Sequence, residues 1–270
     1  MRRSVAALVG SCTSMLVMIS IGGLGGGPAA QAAPLTAVRN APMIPAPGPH
    51  GFHAASTTQG TWSSSNWSGY AITGFGFTGV TGQWTVPTVT APVRQRAHKY
   101  SSTWVGIDGF NDPDLIQAGT EQDWRDGAAV YYAWWEVLPA YESPITMSVH
   151  PGDTMAVSIT QGFPDWTITV SDVTTGQSVP ITTPYSGSLT SAEWIQEAPT
   201  VGCCVARLAH DSTVDFDFAT ANGLDPGLIM ADSGTMVKGR KVISSPSQPN
   251  PAGDGFAVAY GSDPPPAPAV

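Results

Sequence analysis

Two short segments carry the side chains best suited to hydrolytic chemistry. Leu115-Ile116-Gln117-Ala118-Gly119 and Ala192-Glu193-Trp194-Ile195-Gln196-Glu197 are largely apolar runs that include an amide and carboxylates. Both read as β-strands, and successive side chains of a strand face opposite ways. Gln117, Gly119 and Glu121 therefore share a face, as do Glu193, Ile195 and Glu197. Tyr132, Trp134, Glu136 and Leu138 form a third set, and Trp104, Gly106 and Asp108 a fourth. If one sheet joined these faces, it would line a wet cleft with carboxylates, an amide and large aromatics, because carboxylates buried without partners are costly. A carboxyl near its ordinary pKa of about 4.3 can take a proton from water and return it to a leaving amine in mildly acidic medium. An amide stays neutral at every pH, so it remains a donor where a second carboxyl would titrate.

The elements that must position these groups are strands and tight turns. Charged residues make up 11% of the 270-residue chain, with 30 glycines and 24 prolines, a composition suited to many short strands. Strands are expected at Ile145 to Val149, Met155 to Thr160, Trp166 to Val170, Val214 to Phe218 and Gly255 to Tyr260. Pro151-Gly152-Asp153, Thr175-Gly176 and Asn222-Gly223 are read as turns between them. Spacing near 10–12 residues indicates an all-β antiparallel sandwich or barrel. No segment keeps a 3.6-residue period.

Residues 1–32 read as a signal peptide. Arg2 and Arg3 precede an apolar run from Val5 to Leu24, and Ala30-Gln31-Ala32 offers a cleavage site. No second apolar run is long enough to span a bilayer, so a secreted protein with no membrane association after leader removal is expected. Residues 33–61 are a Pro-rich linker or short propeptide that, being poor in apolar residues, has little reason to dock stably. Residues 62–262 would be the β-sandwich domain and 263–270 a disordered tail. Net charge is −9, and losing Arg2 and Arg3 takes it to −11. Such a chain repels nucleic acid. The adjacent Cys203 and Cys204 cannot staple distant strands, and no histidines stand at ligand spacing, so no metal or other cofactor is expected.

Other chemistries would draw on the same residues. Asp232-Ser233-Gly234-Thr235 looks like a pepsin-type triplet, but that chemistry needs two aspartates and the chain has one such motif. There is no Gly-x-Ser-x-Gly and no His-Glu-x-x-His. A glycoside hydrolase could use Glu136 with Glu197 as its two carboxylates, and a non-catalytic carbohydrate-binding module would need neither. Gln117 discriminates, because an amide has no part in a carboxylate pair.

Six motifs in order carry a resemblance. Asn66-Trp67-Ser68-Gly69-Tyr70, Gln83-Trp84-Thr85-Val86-Pro87, Trp104-Val105-Gly106-Ile107-Asp108-Gly109, the Gln117 segment, Tyr132-Ala133-Trp134-Trp135-Glu136-Val137-Leu138-Pro139 and the Glu197 segment resemble the landmarks of the glutamic peptidases (eqolisins). The likeness spans about residues 62 to 260. It implies a lectin-like sandwich of two large antiparallel sheets and an acid-active, pepstatin-insensitive endopeptidase acting as a monomer on polypeptides. Glu197 matches the general base that activates water, and Gln117 the amide that helps hold the water and donates to the oxyanion. Glu136, Asp108 and Glu121 match supporting cleft residues, with Glu136 and Asp108 expected to orient Gln117 and its neighbours. Trp67, Trp104, Trp134 and Leu138 are expected to wall the substrate groove. Leu138 departs from the aromatic residue common in fungal members, Glu121 from Asp, and the cysteine pair from the fungal disulfides.

Overall fold

The computed structural model describes residues 38–46 and 62–269, so the expected leader and most of the Pro-rich stretch lie outside the described residues. One antiparallel path carries nearly all the strands. In spatial order it runs through Gln177–Thr183, Trp166–Asp172, Thr154–Gln161, Gly79–Thr85, Val214–Ala221, Phe256–Tyr260, Lys241–Pro246 and Ser233–Lys238. It continues through Trp67–Thr73, Ser191–Glu197, Ser102–Ile107, Ile116–Arg125, Ala128–Val137 and Ser143–Pro144. Trp62–Ser64 joins it in parallel beside Ser233–Lys238.

The path folds into an open sandwich because both halves are apolar on their inner faces. Trp84, Met155, Ile159, Val170 and Phe216 of the first half pack with Val105, Ile116, Ala118 and Trp194 of the second. Two indoles of this core keep their N–H groups satisfied, as buried tryptophans usually do. Trp84 Nε1 donates to Thr120 Oγ1 at 3.0 Å, and Trp194 Nε1 donates to the Thr81 carbonyl at 2.7 Å. Both bonds cross between the halves.

Local sequence explains the two long strands of the second half. Asp126-Gly127 links Ile116–Arg125 to Ala128–Val137, with φ of 51° and 87°. Positive φ at both central residues suits a two-residue hairpin turn, whose twist matches that of the strands. The register is then fixed along the whole hairpin, placing Gln117 opposite Glu136 and Gly119 opposite Trp134.

Four of the strands expected above form with small shifts of their ends: Thr154–Gln161, Trp166–Asp172, Val214–Ala221 and Phe256–Tyr260. Ile145 to Val149 does not. Ile145 and Val149 are buried in the core, as the alternation requires, but the chain bends at Thr146 and Met147 N donates to the Ile145 carbonyl. The apolar alternation there reports burial without a ladder.

Candidate active site

The strands Trp67–Thr73, Ser191–Glu197, Ser102–Ile107, Ile116–Arg125 and Ala128–Val137 lie side by side. Their odd-parity and even-parity faces separate as the sequence pattern requires. Trp67, Ala71, Trp104, Leu115, Tyr132, Trp134 and Ile195 form a second apolar cluster on the face away from the main core. Glu197 and Gln117 belong to that face. They come from strands separated by Ser102–Ile107 and from different rows, since Glu197 pairs with Ser102 whereas Gln117 pairs with Gly106. Space for the diagonal between them exists because residue 106 is glycine. A Cβ there would stand 2.9 Å from the Trp104 ring and 3.2 Å from Gln117 Cβ.

The two side chains meet over one peptide unit. Residues 38–46 thread along this face, and the Asn40–Ala41 amide crosses the pair. Gln117 Nε2 donates to the Asn40 carbonyl at 3.3 Å, and Ala41 N donates to Glu197 Oε1 at 2.9 Å. Glu197 is fully buried in this arrangement. Its carboxyl takes two further donors, Asn66 Nδ2 on Oε1 at 3.1 Å and Trp104 Nε1 on Oε2 at 3.0 Å. Burial pushes its pKa up to about 8, and those hydrogen bonds hold it from rising further.

Glu136 lies beside Gln117 and bonds to it directly. Its Oε2 accepts from Gln117 Nε2 at 2.7 Å and from Asn40 N at 3.1 Å. Burial, then the nearby negative charges of Glu142 and Glu197, push its pKa up to about 10. Glu136 is therefore neutral from acid to neutral pH, so it fixes the amide without placing a second negative charge beside Glu197.

Asp108 and Glu121 are elsewhere. Asp108 accepts from Tyr185 Oη at 2.6 Å, Ser188 Oγ at 3.0 Å, Leu189 N at 2.9 Å and Thr190 N at 2.8 Å. It pins the loop leading into Ser191–Glu197 and does not bond to Gln117. It stands just past the end of Ser102–Ile107 at a φ of 70°, where strand alternation no longer aims the side chain. Glu121 is buried beside Asp123 and Glu142, and among the described residues neither of its oxygens has a hydrogen-bond partner. Burial, then the charge of Asp123, holds its pKa well above the usual carboxylate range.

The four residues expected to wall a groove are placed differently. Trp67 Nε1 donates to the Ala41 carbonyl at 3.0 Å and thus touches the threaded chain. Trp104 stacks edge-on against Trp67, 4.9 Å between ring centroids, and spends its N–H on Glu197. Trp134 is buried in the cluster with its N–H unpartnered among the described residues, and Leu138 packs at the cluster's edge. Asn66 was missed by sequence reasoning. Besides Glu197, its Nδ2 bonds the carbonyls of Ala41 at 3.3 Å and Pro42 at 3.2 Å, and its Oδ1 accepts from Ile44 N at 2.9 Å. The available signal was its place at the head of the Asn66-Trp67-Ser68-Gly69-Tyr70 motif.

Comparison with known proteins gives a consistent answer. A family model described as the Peptidase A4 family matches residues 65–250. Aspergillopepsin-2 of Aspergillus niger is 34% identical over 234 residues, covering 72% of this chain and 81% of that protein. The fold is similar to the crystal structure of scytalido-glutamic peptidase with a transition state analog inhibitor. That match has a TM-score of 0.61 and 22% identity, and covers 73% of this chain and 98% of that one. It is also similar to SCP-B, a member of the eqolisin family of peptidases in complex with the tripeptide Ala-Ile-His, at a TM-score of 0.56 and 22% identity, with the same coverage.

Proposed function

The chain belongs to the peptidase A4 (eqolisin) family of glutamic-type peptidases, and on that premise we propose that it is a secreted acid endopeptidase whose dyad is Glu197 and Gln117. The observation that carries the assignment is their convergence on a single peptide unit, amide on the carbonyl oxygen and carboxyl on the N–H. The ionised form of Glu197, which the donors from Asn66 and Trp104 favour, takes a proton from water as the water attacks the carbonyl carbon. Gln117 donates to the oxygen on which negative charge develops, the kind of interaction whose loss costs ~2.7–4 kcal/mol in other enzymes. Glu197 then gives the proton to the leaving nitrogen, which it already contacts in the ground state.

Trp104 and Asn66 hold the carboxyl from opposite oxygens, so its orientation does not depend on substrate alone. Glu136 holds Gln117 with its NH₂ toward the carbonyl. Substrate is gripped through its backbone, since the donors and acceptors along residues 38–46 that bond the cleft are main-chain groups. Polypeptides of varied sequence should therefore be accepted.

The test is digestion of an unfolded protein from acid to neutral pH with mass readout of the cuts, with and without EDTA or pepstatin. Cleavage in acid that survives EDTA and is only weakly reduced by pepstatin is expected. Complete loss with EDTA, or tight inhibition by pepstatin, would sink the assignment.

A further inference from the structure

We propose that the Asn40–Ala41 bond is the chain's own processing site, cut by Glu197 and Gln117 of the same molecule. The proposal rests on the peptidase reading above and adds to it a substrate, a bond and a direction of threading. The expectation that the Pro-rich stretch has little reason to dock is not met for residues 38–46. Val38 and Asn40 have no exposed surface and Ala41 is 6% exposed.

The segment is held on both sides of that bond. On the N-terminal side, Val38 and Arg39 pair antiparallel with Val201 and Thr200, and the Val38 carbonyl accepts from Glu142 N at 3.4 Å. The Arg39 guanidinium lies over the Tyr141 ring, 5.9 Å from its centroid. On the C-terminal side, Asn66 and Trp67 bond the Ala41 and Pro42 carbonyls. Met43 N donates to the Gly109 carbonyl at 2.9 Å, Ser65 N donates to the Ile44 carbonyl at 2.8 Å, and Ala46 N donates to the Ser63 carbonyl at 3.1 Å. A chain fixed at both ends by strand-like pairing has one register, because a shift by one residue would turn its N–H and C=O groups away from their partners.

That register brings one bond to the dyad. The Asn40 carbonyl oxygen faces Gln117 Nε2, and the Ala41 nitrogen lies 2.9 Å from Glu197 Oε1. Pre-alignment of this kind turns a bimolecular cleavage into a unimolecular one. In the reaction, water adds to the Asn40 carbonyl carbon and leaves its proton on the Glu197 carboxylate. The C–N bond breaks as that proton passes to the Ala41 nitrogen. The products are a carboxyl group at Asn40 and an amine at Ala41, so one water is consumed and no other reactant is needed. Until the cut, the segment fills the groove that an external substrate must enter, so the uncut chain is its own inhibitor.

The experiment follows purified full chain in acid by intact mass and N-terminal sequencing, with an unfolded protein supplied in a parallel tube. A new N-terminus at Ala41 is expected, formed at a rate that does not change on dilution, with cleavage of the external protein rising as the cut accumulates. Glu197→Gln should slow the cut by ~10²-fold or more. Ala41→Pro, which removes the N–H that bonds Glu197, should abolish the cut at this bond. Cleavage of the external protein with residues 40 and 41 still joined would overturn the proposal and leave the peptidase reading standing. A cut that persists in Glu197→Gln, or one that slows on dilution, would overturn it in the same way. If neither the chain nor the external protein is cut, both readings fall together.

Discussion

Glu197 and Glu121 stand on the same face of the same sheet, in one cross-strand row through Ser102, yet their carboxyls are treated in opposite ways. Both are fully buried. Glu197 receives donors from Ala41, Asn66 and Trp104. Glu121 receives none and faces Asp123 and Glu142. In that second cluster Tyr132 Oη donates to Glu142 Oε1 at 2.5 Å, and Arg125 pairs with Asp123 at 3.4 Å. Residue type, burial and parity are the same at the two glutamates, so none of these separates them. Donors aimed at the ionised form do, because they let a buried carboxylate carry charge. One of the three donors to Glu197 comes from the threaded segment, so its surroundings change when that segment leaves. The surroundings of Glu121 contain no such removable partner.

The largest expected effect breaks this pair apart by a single substitution on each side. Glu197→Gln should abolish turnover of an unfolded protein substrate while circular dichroism shows an intact fold. Glu121→Gln should leave turnover within a few-fold of the parent. Equal losses in the two variants would mean that the Glu121 cluster takes part in the chemistry. Next in size, Gln117→Ala should lower kcat by ~10²-fold or more, by analogy with other oxyanion donors. A change confined to KM would show that Gln117 binds substrate without stabilising the transition state.

Stability against pH sharpens the comparison. Burial raises the pKa of Glu136 to about 10 and of Asp211 to about 7, and it raises Glu121, Asp123, Glu142 and Glu193 as well. A carboxyl whose pKa is higher folded than unfolded binds more protons in the folded state. Its contribution is complete below the unfolded value, about 4, and is lost as pH rises through the folded value. Tm should therefore be highest in acid and fall toward neutral pH. Glu121→Gln, which keeps the neutral shape, should make that fall shallower. Thermal melts across pH decide it, and a Tm that rises toward neutrality would show that these carboxyls are not held protonated.

The smallest effect is expected at the cysteines. Cys203 and Cys204 are exposed and unbridged on the hairpin formed by Thr200–Val201 and Cys204–Val205. That hairpin meets the threaded segment through the backbone of Thr200 and Val201. Changing both cysteines to serine should leave turnover of an external substrate unaltered, and a large loss in a folded variant would give the thiols a role in the cleft.

Much of the fold was legible in the chain because strand alternation is a local property. It placed Gln117, Glu136, Glu197, Trp67, Trp104 and Trp134 on one kind of face, and the order of motifs pointed to the family and its sandwich. Alternation could not say that Gln117 and Glu197 meet across an intervening strand, since that depends on a glycine at position 106 and on the stacking of strands distant in sequence. It sent Asp108 toward the cleft, whereas a positive φ beyond the strand end turns its carboxyl to the loop at residues 185–190. Least legible of all was the segment at residues 38–46. It docks through N–H and C=O groups that almost every residue carries alike, so nothing in its side-chain pattern marks it, and only the tertiary structure sets the Asn40–Ala41 bond across Gln117 and Glu197.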